Sequence, residues 1–154
     1  MVGSKSPRHP TTEAFRGLRT NLQYLLTKEG PNTKLVSCMH PGEGKTFTAT
    51  NMAALLAQAG KKTLLIDYDL HKPRVHRALN VGRGTGLSGY LIGQVPWEQA
   101  VQPTDISGLD VVTSGPVPPN ASELVLNDRT DQLIAEARKV YDFVVIDTPP
   151  ILLI

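Results

Sequence analysis

Apolar and polar positions along this chain follow two different periods. Short, nearly continuous apolar runs at Thr63–Ile66 and Phe143–Ile146 are bounded by polar residues, as expected of strands buried on both faces. A third such strand is predicted over Leu109–Thr113, and a fourth opens the stretch KLVSCMHPGEGKTFTATN, Lys34–Asn51. Between them the spacing turns helical. Over Thr11–Lys28, within an N-terminal segment 10–28, residues Ala14, Phe15, Leu18, Leu22, Leu25 and Leu26 fall on one stripe, with Glu13 and Arg16 off it. Gly30-Pro31-Asn32 ends that helix.

Thr46–Ala59 reads as an Ala-rich helix closed by Gly60, and Arg129–Tyr141 as a helix with Leu133, Ile134, Ala137 and Val140 inward. Glycines punctuate Gly82–Gly93, which carries a short helix over Leu87–Ile92, and Trp97–Val101 forms another. Gly115–Asn120 is a rigid turn, and Asn120 with Glu123 marks a helix cap. Strands alternating with helices predict an α/β fold: a mostly parallel sheet with helices on both faces, in three layers. No internal repeat or domain boundary is visible, so residues 1–154 read as one domain.

Composition narrows the class without naming a chemistry. With 16 Lys+Arg against 14 Asp+Glu, nothing demands a nucleic-acid partner. The single cysteine, Cys38, cannot close an internal disulfide, suits a reducing compartment, and on its strand reads as packing. The opening MVGSKSPRHP lacks the apolar core of a signal peptide, and no run reaches the roughly 18 apolar residues of a membrane span. The expectation is a soluble cytoplasmic domain.

The chemistry enters through the segment after the first strand. Pro41, Gly42, Glu43, Gly44, Lys45, Thr46 and Phe47 form a Gly-rich turn that runs into a helix. Backbone N–H groups there can cradle phosphate oxygens, Lys45 can reach the β/γ-phosphates, and the Thr46 hydroxyl can bind Mg²⁺. The helix start adds unsatisfied N–H groups and the positive end of its dipole. Met39 stands where the strict P-loop pattern has its first glycine.

Asp67 and Asp69 end one apolar strand and Asp147 ends another, and in a parallel sheet carboxyl ends share the edge where ligands bind. Asp67 and Asp69, two apart on an ideal strand, are expected to share a face, with Tyr68 on the other, unless the backbone is already turning there. His71 and His76 do not share a helical face and suggest no metal pair. The basic group Lys72, Arg74, Arg77 and Arg83 reads as a solvated face with a few ion pairs before a surface for an acidic partner or phosphates.

GEGKT, LLIDYDLHKPRVH, PPNASEL and VVIDTPP together resemble the cytoplasmic domain of bacterial tyrosine kinases that regulate capsule and exopolysaccharide export. The resemblance runs from about Pro10 to Leu152. It implies a P-loop NTPase-like fold, ATP and Mg²⁺ as cofactors, and tyrosine (auto)phosphorylation. Lys45 and the loop amides would hold β/γ-phosphates; Thr46, Asp147 and Asp69 would hold Mg²⁺; Asp67 would orient or deprotonate the acceptor phenol.

Glu13, Arg16 and Arg19 match an E-x-x-R-x-x-R signature linked to ring-like self-association. A membrane activator or fused membrane segment, on the cytoplasmic face of the inner membrane, and an opposing phosphatase are implied as partners. Departures are His71 in place of an arginine, the absence of a tyrosine cluster, and an end at Ile154 after the apolar run ILLI that reads as truncation of the domain. His40 stands where partition and septum-placing ATPases carry a signature lysine, which favours the kinase branch. Two alternatives stay open: an ATPase switch of that second type, and an inactive nucleotide-binding module.

Overall fold

The computed structural model describes residues 34–38, 43–69, 73, 75–116 and 128–147, and these hold five strands and five helices. In chain order they are β1 (Lys34–Cys38), α1 (Glu43–Gln58), β2 (Thr63–Asp67), α2 (Val75–Ala78), α3 (Gly86–Leu91), α4 (Trp97–Ala100), β3 (Gln102–Pro103), β4 (Leu109–Val112), α5 (Asp128–Ala137) and β5 (Phe143–Asp147). The expected N-terminal helix, with Glu13, Arg16 and Arg19, lies outside the described residues, as does the Asn120–Glu123 cap.

The strands form one sheet in the order β1-β5-β2-β4-β3, parallel except for β3 against β4. β2 and β5 are buried along their whole length, which is why their sequences are apolar rather than alternating. Their alternate side chains feed two separate cores. Leu64, Ile66, Val144 and Ile146 meet Leu87, Leu91, Leu133 and Ala137 on the face covered by α3 and α5. Leu65, Phe143 and Val145 meet Ala49, Met52, Ala53, Leu56 and Val75 on the face covered by α1 and α2. The three-layer expectation is met.

Between Thr48 and Ala57, α1 has no exposed position. Residues Ala49 through Ala54, together with Leu56 and Ala57, are buried, which only small side chains on most positions permit. It ends as its sequence proposes. Gly60 takes φ +88°, and the N–H groups of Gly60 and Lys61 donate back to the Ala57 and Leu56 carbonyls at 3.0 and 3.1 Å.

One expectation fails, and one element had no counterpart in the sequence pattern. Val140 is exposed, because α5 stops at Ala137 and the chain turns: the N–H groups of both Val140 and Tyr141 donate to the Ala137 carbonyl. Tyr141 takes the inward place instead, its hydroxyl donating to Asp110 Oδ2 at 2.7 Å. The short strand β3 gave no sequence signal, since it spans two residues of which one is Pro103. Proline is tolerated there because the strand lies at the sheet edge.

Candidate functional site

The site is organised by the last strand to enter the sheet. β5 fills the slot between β1 and β2, and its final residue, Asp147, pairs in register with Cys38 on one side and Asp67 on the other. With parallel neighbours about 4.8 Å apart, this row of three carboxyl-terminal residues spans on the order of 10 Å. Side-chain alternation fixes its direction. Asp67 follows Leu65, and Asp147 follows Val145, so both carboxylates project on the α1 side of the sheet. α1 itself begins at Glu43, five positions after β1 ends at Cys38, and so starts from the same rim. Lys45 and Thr46 stand in its first turn; Pro41 and Gly42 lie outside the described residues.

Both rim carboxylates are buried: Asp67 is 0% and Asp147 1% exposed. The strand ends at Asp67, and the backbone turns there rather than carrying the ideal strand on to Asp69. Asp67 Oδ1 accepts the backbone N–H of Asp69 at 2.9 Å, a side-chain turn that ends β2 at once. Asp67 Oδ2 accepts the N–H of Val75 at 3.4 Å, at the first residue of α2. Asp67 and Asp69 therefore do not share a strand face, and Asp69 is half-buried beside the turn. The N–H of Tyr68 donates to the Asp147 carbonyl at 2.9 Å, tying this turn to β5.

Tyr68 packs into the opposite core at 4% exposure; burial pushes its phenol well above the usual range, opposed by the neighbouring Thr130 side chain. Tyr90 and Tyr141 are equally enclosed, at 4% and 5%. Burial raises both phenols; for Tyr90 the Arg129 guanidinium opposes this, and for Tyr141 the bond to Asp110 adds to it.

The carboxyl end of β4 contributes polar groups that no motif announced. Thr113 and Ser114 are buried, and their carbonyls accept the N–H groups of Leu87 and Ser88 at 2.6 and 2.9 Å. Arg83 Nη2 donates to the Gly115 carbonyl at 3.0 Å, so this member of the basic group also ties down the end of β4; Arg83 and Arg77 are both exposed, as a solvated face requires. Lys72, Arg74 and His71 lie outside the described residues. The only sequence trace of this stitch is the glycine at each side of it, Gly86 and Gly115.

Among the described residues, no group of three or more His, Cys, Asp and Glu side chains forms a metal cage, and no helix is long and apolar enough to cross a membrane. Mg²⁺ binds through one or two carboxylates and completes its shell with water and substrate phosphates. Two buried carboxylates beside the start of a helix, on the rim of a parallel sheet, provide that oxygen chemistry. The donor set therefore fits a magnesium–nucleotide site.

The AAA domain family matches residues 34–154. The chain is 41% identical to the tyrosine-protein kinase YwqD of Bacillus subtilis (strain 168) over 152 residues, covering 99% of this chain and 64% of that protein. It is similar to the solved kinase domain of the Escherichia coli tyrosine kinase ETK, with a TM-score of 0.80 and 39% identity over 99% of this chain and 60% of that one. A more distant likeness is the septum site-determining protein MinD of Pyrococcus horikoshii OT3 complexed with Mg-ADP. There the TM-score is 0.64 and the identity 26%, over 75% of this chain and 48% of that one. The chain spans less than two thirds of the length of YwqD and of the ETK kinase domain.

Proposed function

Because this chain belongs to the P-loop bacterial tyrosine kinases, we propose that it transfers the γ-phosphoryl group of Mg·ATP to tyrosine, in a protein that regulates capsule or exopolysaccharide production. The observation that supports this most is the register row Cys38–Asp147–Asp67, which sets two carboxylates beside the start of α1. Phosphoryl transfer asks chiefly for positioning and charge neutralisation. Pro41 to Phe47 would wrap the phosphates, with Lys45 on the β/γ oxygens. Thr46, Asp69 and Asp147 would hold Mg²⁺, directly or through water. The ion, when bound, draws off charge developing on the phosphate oxygens.

The wider reading includes self-association through Glu13, Arg16 and Arg19, a membrane-linked activator or fused segment, and an opposing phosphatase. The test is to incubate the chain with γ-labelled Mg·ATP and a tyrosine-rich peptide and to follow the label. Phosphotyrosine is the expected product. Label released only as free phosphate would overturn the kinase reading in favour of an ATPase switch.

The enclosed tyrosines make a second prediction. Tyr68, Tyr90 and Tyr141 cannot present a hydroxyl to another active site without unfolding, so the acceptor is Tyr24 or a tyrosine on another segment or molecule. Changing all of them to phenylalanine is expected to leave incorporation of label unchanged, as read by phosphopeptide mass spectrometry. Phosphate found on any of the three in folded protein would show that this core opens.

A further inference from the structure

We propose, building on the kinase reading above, that Arg77 and Arg83 form a docking surface for the acceptor segment, and that this segment is an acidic peptide. Charge is distributed unevenly along the chain. Residues 70–97 hold Lys72, Arg74, Arg77 and Arg83 and not one Asp or Glu, leaving 12 Lys+Arg against 14 Asp+Glu everywhere else.

The turn after α2 brings the two described arginines near one imidazole. The N–H groups of Asn80 and Val81 donate to the Arg77 and His76 carbonyls at 3.2 and 2.9 Å, and Asn80 takes φ +53°, which turns the chain toward Arg83. His76 feels both charges: burial first, then Arg83 and Arg77, hold its imidazole below the ordinary range. A solvated face accounts for the exposure of the arginines, but its usual ion pairs are missing. Among the described residues, neither guanidinium has a carboxylate partner. Arg83 uses one N–H on the Gly115 carbonyl, which holds the guanidinium in place and keeps the rest of its fork open to an acid.

Position selects the partner. Gly115 follows the carboxyl end of β4, the neighbour of β2, and α2 opens with the Val75 N–H held by Asp67 at the end of β2. The basic surface therefore lies along the same edge of the sheet as the nucleotide site. A peptide whose carboxylates pair with these arginines is held beside the rim where the phosphoryl group leaves ATP, which is where an acceptor tyrosine has to stand.

Three peptides of equal length, each with one tyrosine flanked by Glu, by Gln or by Lys, test this on the full chain. The Glu peptide should exceed the Gln peptide roughly tenfold in kcat/KM, through KM, and the preference should fade as salt rises. Arg77→Glu should abolish that preference and favour the Lys peptide. Arg77 is exposed and its side chain holds no other element, so the variant keeps its fold. Arg83→Gln should weaken the preference severalfold. The same peptides with phenylalanine in place of tyrosine, followed by fluorescence anisotropy, read binding without transfer and should rank alike.

Equal use of the Glu and Gln peptides by the wild type, or a preference that survives in Arg77→Glu, would overturn the assignment. So would binding to phosphatidylglycerol vesicles that is lost in Arg77→Glu while no peptide is preferred, which would give the surface to a membrane. If no peptide accepts label, the kinase reading fails by itself, and the phenylalanine peptides still decide whether this surface takes an acidic chain.

Discussion

Replacing Lys45 with methionine is expected to reduce phosphotyrosine formation by roughly 10²–10³-fold or more, the loss seen when one preorganised donor to a developing oxyanion is removed. Lys45 stands in the first turn of α1, on the rim beside Asp67 and Asp147. Methionine matches lysine in length and in helix propensity, so α1 should form unchanged. What disappears is the only charge the sequence offers within the GKT turn to balance the phosphates. If the charge acts mainly in the transition state, kcat falls with little change in KM for ATP; if it binds both states equally, KM rises instead. Single-turnover transfer of label, with circular dichroism as the folding control, measures the split. Wild-type transfer by the variant would remove Lys45 from the site and with it the reading of the GKT turn.

The second large effect is on stability. Gly115→Ala should lower the melting temperature on the order of 10 °C. Gly115 has φ +76°, and a Cβ there would land on the Thr85 carbonyl oxygen and 2.6 Å from Ser88 Oγ. A left-handed conformation costs an L-residue about 1–2 kcal/mol. Forcing an extra methyl into packed surroundings adds about 1–3 kcal/mol, and here the obstacle is backbone and cannot rotate away. The sum, about 2–5 kcal/mol, is a large part of the roughly 5–15 kcal/mol that holds a domain together. Gly86 should behave alike, since its Cβ would meet the Gly115 backbone nitrogen and, at 2.6 Å, the Thr113 carbonyl oxygen, with φ +54°. Gly82→Ala is the control, because nothing lies within 4 Å of its Cβ position. Thermal melts of the three decide the matter. A Gly115→Ala protein that melts with the wild type would mean the stitch between α3 and the end of β4 is not formed as described.

Much of this molecule could be read locally. The apolar runs of β2 and β5 announce strands because a strand buried on both faces has no polar position to alternate. Gly60 announces the end of α1 because a left-handed closing residue is a property of the peptide unit itself. Val140 was misjudged for the opposite reason. Helical periodicity cannot tell that the chain leaves α5 at Ala137 to reach β5, and it is the route of the chain that turns Tyr141 inward. Strand β3 was invisible because two residues against the edge of a sheet carry no period at all.

The candidate site divides along the same line. GKT after a strand, and aspartates after two others, were legible because phosphate and Mg²⁺ chemistry fix residue types at fixed spacings along the chain. The sequence by itself determined which residues bring charge and hydrogen-bond donors, and that they stand at strand ends. Only the tertiary structure decided that β5 enters between β1 and β2, so that Asp147 pairs with both Cys38 and Asp67. Only it decided that Asp67 accepts the amides of Asp69 and Val75. Strand order and side-chain partners depend on contacts between residues far apart in sequence. Those contacts are chosen by burial of the whole sheet, and no local pattern encodes them.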